Sequence, residues 1–391
     1  MNLVNAPLVL QMGFSKTPPV IDPAIFNTNK TDYQNTSLLL GQPAGLFDTV
    51  NKQFPQIWKL YKTVKSLDWD ENELPMSSCN AEFKVLPRTK SQKMIKSLAW
   101  QWETDSFASR TISHVVSLFN PAPELWAAWQ RISDQEIIHA ATYSEIVRAS
   151  FDNPREVLEK ILGITESLQR LETVATEMKW IRERGLRFQL GDVPGDQETY
   201  NAAFMFAYVM FVLERLQFMA SFAVTFALGA EDLFIPICKM VQKIAQDEYE
   251  THCELDFLVI QHEMTTERGQ IAYEQLRPRM NRVLNEVIAV ELNWSDFVYW
   301  DEETQTYVED LKHCNRKQLK DFVLFNATYV ARSCRLDMDY PQVELLPLHY
   351  MKTWMNMGDT QPSPQEQANA QYKVNVVVRD DEDVDFDLSG F

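Results

Sequence analysis

SDQEIIHAATYSEIVR, residues 133–148, sets a glutamate, a histidine and a tyrosine along one side of a single helix. His139 follows Glu136 by three positions and Tyr143 follows His139 by four, so the three side chains rise along a common face. The surrounding run, 123–149, is otherwise rich in apolar residues. A carboxylate and an imidazole one turn apart can both reach one ion. Taken alone, such a pair is more often a surface ion pair.

The rest of the chain changes that balance. Glu248 and His252 repeat the pairing at a spacing of four. Asp105 lies in LAWQWETDSFAS and Glu214 in FAYVMFVLERLQF, two apolar helical stretches where an acid is out of place. Ionised carboxylates are strongly penalised in a dry core unless paired or bound to metal. Asp105 could face water beside Glu103, and Glu214 could pair with Arg215. Together, four acids and two histidines from four helices make the pattern of a di-iron carboxylate bundle. Carboxylate and imidazole suit iron or manganese, whereas zinc–thiolate and iron–sulfur sites need paired cysteines. Tyr143 alone reads as bundle packing; beside an oxygen-activating metal pair it becomes a one-electron donor. His114, His262, His313 and His349 lack such companions and read as ordinary residues.

The expected fold class is all-α, a ferritin-like helical bundle. Only 11 glycines occur in 391 residues, and helical periodicity dominates from residue 91 onward. The spacing predicts helices over 91–117, 123–149, 154–185, 197–227, 231–264, 267–297 and 316–335. Three parts are expected: a partly irregular segment 1–90 with a short helix around 54–64, the bundle 91–357, and a disordered tail 358–391. No strand is predicted, save a faint alternation over 374–378. The 55 acidic against 37 basic residues give a net charge of −18, which disfavours binding to nucleic acid. The most apolar stretch, 201–230, is interrupted by Glu214, Arg215 and Gln217, so it reads as a central bundle helix rather than a membrane span. The five scattered cysteines read as free thiols in the cytoplasm, and the N-terminus lacks the basic start of a signal peptide.

These residues resemble the small subunit of class I ribonucleotide reductase, with the bacterial class Ia type the nearest pattern. Its motif is an Asp, then ExxHxxxY, then Glu, then ExxH. Asp105 precedes Glu136 by 31 residues and Glu214 precedes Glu248 by 34, as in the family. The resemblance implies that Asp105, Glu136, His139, Glu214, Glu248 and His252 hold two iron ions, or manganese, with Glu136 and Glu248 bridging. Tyr143 takes the place of the radical tyrosine. Phe218, Phe222 and Ile244 take that of its apolar pocket, and Asp247 and Trp69 that of a radical-transfer route. In the tail, Tyr372 and Glu366 fall where the family keeps an interfacial redox tyrosine and a nearby glutamate. There is one departure. The chain reads DEYETH, an ExxxH rather than an ExxH, and a one-residue helical bulge would restore the aim of Glu248 and His252.

The resemblance further implies a ribonucleoside-diphosphate reductase: a homodimer whose tail docks the large subunit, where the nucleotide sites reside. Within enzymes, the alternative is another ferritin-like di-iron oxidase or hydroxylase. Outside them it is iron storage. Tyr143 with a matching tail tyrosine argues against the first, and the apolar, acidic tail against the second.

Overall fold

The computed structural model describes residues 20–28 and 37–355. The tail with Glu366 and Tyr372, and the faint alternation over 374–378, lie outside the described residues. Among the described residues, thirteen α-helices run in chain order: α1 (Pro55–Ser66), α2 (Ser78–Val85), α3 (Arg88–Val116), α4 (Pro123–Ser150), α5 (Pro154–Leu162), α6 (Thr165–Gln189), α7 (Gln197–Val212), α8 (Phe218–Gly229), α9 (Ile235–Gln246), α10 (Cys253–Glu263), α11 (Glu267–Tyr299), α12 (Arg316–Ser333) and α13 (Tyr350–Trp354). Two π-helical segments make α7–α8 and α9–α10 continuous: Leu213–Gln217 joins the first pair and Asp247–His252 the second.

Local signals explain many boundaries. Proline opens α1, α4 and α5, where its missing N–H costs nothing. Asp196 caps α7 through Thr199, and Asn315 with Gln318 forms a capping box on α12. Thr266 caps α11 through the Gly269 amide, and a Cβ on Gly269 would strike the Glu263 carbonyl, so only glycine fits that turn.

The run 197–229 is the centre of the bundle. It is long and apolar enough to cross a membrane by length alone, yet its most apolar window is wholly buried in protein. Packed around it, α3 lies mainly on α4 and also touches α8 and α11, while α6, α10 and α11 all meet α7. One ion pair pins this core. Arg170 on α6 donates to both carboxylate oxygens of Glu291 on α11, at 2.8 and 2.6 Å, with both residues buried. Its guanidinium lies against the Trp100 and Trp294 rings, 3.9 and 4.1 Å from their centroids, and also donates to the Gln217 carbonyl.

Three expectations need correction. The run 154–185 is two helices, because the chain turns at Gly163 and Ile164, whose amides bond back to Lys160 and Ile161. The helix expected from 231 starts at Ile235, because Asp232 and Phe234 take left-handed backbone conformations. A short antiparallel hairpin, Trp300–Asp301 with Thr306–Tyr307, occurs where no strand was expected, its Asp301 held by Arg88. Within the described part of the N-terminal segment, Leu38, Leu39 and Leu40 are buried in the core of the bundle and α1 packs on α4. All five cysteines are free and buried.

Candidate metal centre

Four helices converge on one buried spot. Asp105 comes from α3, and Glu136, His139 and Tyr143 from α4. Glu214 stands in the first π-helical segment, Glu248 and His252 in the second. All seven are at most 1 % exposed. Their donor atoms fall into two groups of four, Asp105–Glu136–His139–Glu248 and Glu136–Glu214–Glu248–His252, with all atoms of a group within 4.8 Å of one another. Glu136 and Glu248 belong to both. His139 Nδ1 lies 3.0 Å from Glu248 Oε1 and 3.5 Å from Glu136 Oε2. His252 Nδ1 lies 2.8 Å from Glu248 Oε2 and 3.3 Å from Glu136 Oε1.

The second π-helical segment explains how an ExxxH sequence reaches this geometry. A π turn holds one residue more than an α turn. Glu248 and His252, four apart, therefore both face inward, while Glu250 between them is exposed. Tyr249, which a three-residue count back from His252 would select, is partly buried and belongs to neither donor group.

The donors suit a pair of cations. Both oxygens of Asp105, Glu136 and Glu214, together with Glu248 Oε1 and His139 Nδ1, are buried without a hydrogen-bond partner. So many bare acceptors in one core require positive charge. Proton affinities show the same shortage. Burial, reinforced by Glu136 and Glu248, holds the Asp105 carboxyl well above its ordinary range. Burial and Glu248 do the same to Glu214. Glu248 goes the other way: burial opposes ionisation, but His252, Glu214 and His139 together hold it low. Burial alone would favour neutral imidazoles. Asp247, Glu136 and Glu248 nevertheless raise His139 far above its usual value, and Glu248 with Glu136 pushes His252 up to about 10. Protons occupy the place that cations would take.

Around the donors lies a supporting layer. His139 Nε2 meets Asp247 Oδ2 at 3.1 Å, and the same oxygen accepts from Trp69 Nε1 at 2.8 Å. The Trp69 and His139 rings stack with centroids 5.7 Å apart. A continuous polar line therefore runs from a donor histidine to a half-buried indole. Tyr143 is wholly buried; its hydroxyl adjoins Asp105 without alignment for a hydrogen bond, and burial followed by the Asp105 charge raises its pKa well above the phenol value. Phe218, Phe222 and Ile244 are fully buried in the core that contains Tyr143, the two phenylalanine rings stacked at 5.5 Å.

Sequence reasoning missed three contributors. Gln135 Oε1 lies 3.0 Å from His252 Nε2 and fixes that ring's orientation. Its position beside Glu136 was the available signal. Asp256, one turn beyond His252, accepts from Trp129 at 3.1 Å. The π-helical segment at Glu214 left no trace in the local sequence.

The fold and these donors define a ferritin-like helical bundle of the di-metal carboxylate class. Residues 46–344 match the family described as ribonucleotide reductase, small chain, and the chain belongs to that family, the small subunits of class I ribonucleotide reductase. It is 22 % identical to the ribonucleoside-diphosphate reductase 1 subunit beta of Salmonella typhimurium, covering 94 % of this chain and 98 % of that one. Identity is also 22 % with the subunit beta of Enterobacteria phage T4, over 92 % and 96 % of the two chains. Among solved structures, the ribonucleotide reductase R2 subunit of Clostridium botulinum superposes with a TM-score of 0.65 at 17 % identity, covering 82 % of this chain and 95 % of that one. The dimanganese(II)-NrdF of Streptococcus sanguinis gives 0.56 at 15 %, over 78 % and 98 %.

Proposed function

We propose that this chain is the radical-generating small subunit of a ribonucleoside-diphosphate reductase of the class Ia type. In this reading Asp105, Glu136, His139, Glu214, Glu248 and His252 hold two iron ions, with manganese the other metal that the donors suit. The observation that carries the proposal is the pair of four-donor groups sharing Glu136 and Glu248, with Tyr143 one turn beyond His139 and against Asp105. When bound, the metal pair would supply the oxidising power by reducing dioxygen. The protein's own residues do the rest. Tyr143 gives up one electron, and its phenolic proton has the Asp105 carboxylate beside it as acceptor. Phe218, Phe222 and Ile244 exclude water and reductants from that phenol. Trp69, Asp247 and His139 form the hydrogen-bonded line along which charge enters and leaves.

Beyond the described residues, Tyr372 and Glu366 extend this route toward the large subunit, which the tail docks, and two small subunits form a homodimer in the cytoplasm. The test is electron paramagnetic resonance after adding Fe(II) and dioxygen to the purified chain. A tyrosyl signal coupled to the metal is expected. Tyr143→Phe should abolish it, and nucleotide reduction with it, while two metals per chain are retained. A persistent tyrosyl signal in that variant would remove Tyr143 from its role.

A further inference from the structure

Among the described residues, Arg215 is a buried cation without a counter-ion. It is 3 % exposed, and among the described residues no carboxylate lies within ion-pair distance of its guanidinium. Its partners are neutral. Nη1 donates to the Asn326 amide oxygen, and Nη2 lies 3.4 Å from the Tyr249 hydroxyl oxygen. Two aromatic rings lie against it, Tyr249 with its centroid 4.5 Å from the guanidinium carbon and Tyr329 at 4.4 Å. Arg215 follows Glu214 in the first π-helical segment, and Tyr249 follows Glu248 in the second. The cation thus stands directly behind the donors, against a tyrosine covalently next to one of them.

Leaving a charge unpaired in a core is costly, so its retention calls for a reason. Electrostatics supplies one. A positive charge against an aromatic ring is attracted to its electrons and makes their removal harder. A guanidinium also has only donors, so it offers no acceptor for a phenolic proton. Tyr143 has different surroundings: none of the guanidinium or ammonium groups described against an aromatic ring lies on it, and its hydroxyl adjoins the Asp105 carboxylate, a proton acceptor. Two tyrosines therefore flank the same centre, one against a guanidinium and the other beside a carboxylate. Tyr329, against the same guanidinium, is 42 % exposed and opens to solvent.

We propose that Arg215 is a specificity-determining residue for radical formation: its charge bars oxidation of Tyr249, closing a leak through Tyr249 and Tyr329 to solvent, and leaves Tyr143 as the tyrosine oxidised. This deepens the functional reading above and rests on it. The step being directed removes one electron and one phenolic proton from a tyrosine. With the metal pair bound, dioxygen would be the oxidant that takes up the electron, and a neighbouring base would take the proton.

The experiment uses the full chain, loaded with Fe(II), exposed to dioxygen and read two ways: tyrosyl signal by electron paramagnetic resonance, and oxygen addition at Tyr249 and Tyr329 by peptide mass spectrometry. Metal content is measured in each variant. In Arg215→Gln the Tyr143 signal should fall by at least about twofold, and modification at Tyr249 should rise about tenfold, because a charge at this separation is weakly screened. Adding Tyr249→Phe to that variant should restore the signal, and Arg215→Lys should behave as wild type. Asn326→Asp pairs the guanidinium with a carboxylate at nearly unchanged side-chain volume, at the cost of the Nδ2 bond to the Phe322 carbonyl. It should reproduce the Arg215→Gln result, which a merely structural role would not, and it alone decides the matter if Arg215→Gln fails to load metal. A normal Tyr143 signal with unmodified Tyr249 in metal-loaded Asn326→Asp overturns the proposal and leaves the functional reading intact. A wild-type chain that forms no tyrosyl signal sinks both.

Discussion

Two buried sets of charged groups occupy this bundle, and they resolve the same difficulty in different ways. Arg170 and Glu291 answer each other. The pair is bidentate, its cation lies against two indole rings, and Nη2 also donates to the Gln217 carbonyl, leaving Nη1 alone without a hydrogen bond. At the metal centre, four carboxylates converge with two imidazoles, and most of their oxygens meet no donor. In the first set the charges cancel, and it serves the fold. The second is incomplete without cations, and that incompleteness, more than the presence of acids, identifies it as a site.

Removing one charge from each set gives opposite results if this contrast holds. Glu291→Leu strands Arg170 in the core and should cost about 3–5 kcal/mol in denaturant unfolding, whereas the double change with Arg170→Met should recover most of it. An unchanged midpoint for the single variant would mean that the pair does not bear on stability. Glu214→Gln should do the reverse in chelator-treated protein, raising stability by on the order of 1 kcal/mol because a destabilising acid is neutralised. The same variant should bind metal more weakly in a titration with Mn(II). A metal-free variant less stable than wild type would show that Glu214 has a structural partner.

The smallest effect is a pH trend. Asp105 and Glu214 sit above their ordinary values, so the folded chain holds their protons more tightly than the unfolded one does. Stability of the metal-free protein therefore falls as pH rises past the range where unfolded carboxyls ionise. His252 acts in the same sense: its contribution is whole below 6.5 and lost as pH passes through about 10. Glu248, held low, contributes oppositely, and its share is lost only in strong acid. Between pH 6.5 and 10 the thermal midpoint of the metal-free protein should decline, while the gain on adding metal grows, since binding displaces those protons. A flat profile would place the protons elsewhere.

Much of this was legible in the sequence because it is local. Periodicity located the long helices, and acids in apolar runs located the donors. The extra residue before His252 announced the second π-helical segment, since a motif of known spacing made the insertion visible. The segment at Glu214 had no such ruler. Nor could Arg170 and Glu291 be paired from the sequence: they stand 121 residues apart, and each looks like an ordinary surface charge. The break at Gly163 and the Trp300–Tyr307 hairpin escaped for a related reason, being small departures set by tertiary packing. That no carboxylate among the described residues answers Arg215 is a property of what surrounds it, and neighbours in space are not written in the chain.

The cysteines have a practical consequence. A thiol reacts as its thiolate, and burial pushes Cys79 up to about 11 and both Cys253 and Cys334 up to about 12, with Cys238 and Cys314 raised as well. In the closed protein all five are shielded and almost wholly protonated, so an alkylating reagent must wait for the structure to open. They are spread over α2, α9, the start of α10, the loop before α12 and the end of α12. The rate at which each is labelled would record how often its own part of the bundle breathes, five clocks already in place and requiring no substitution.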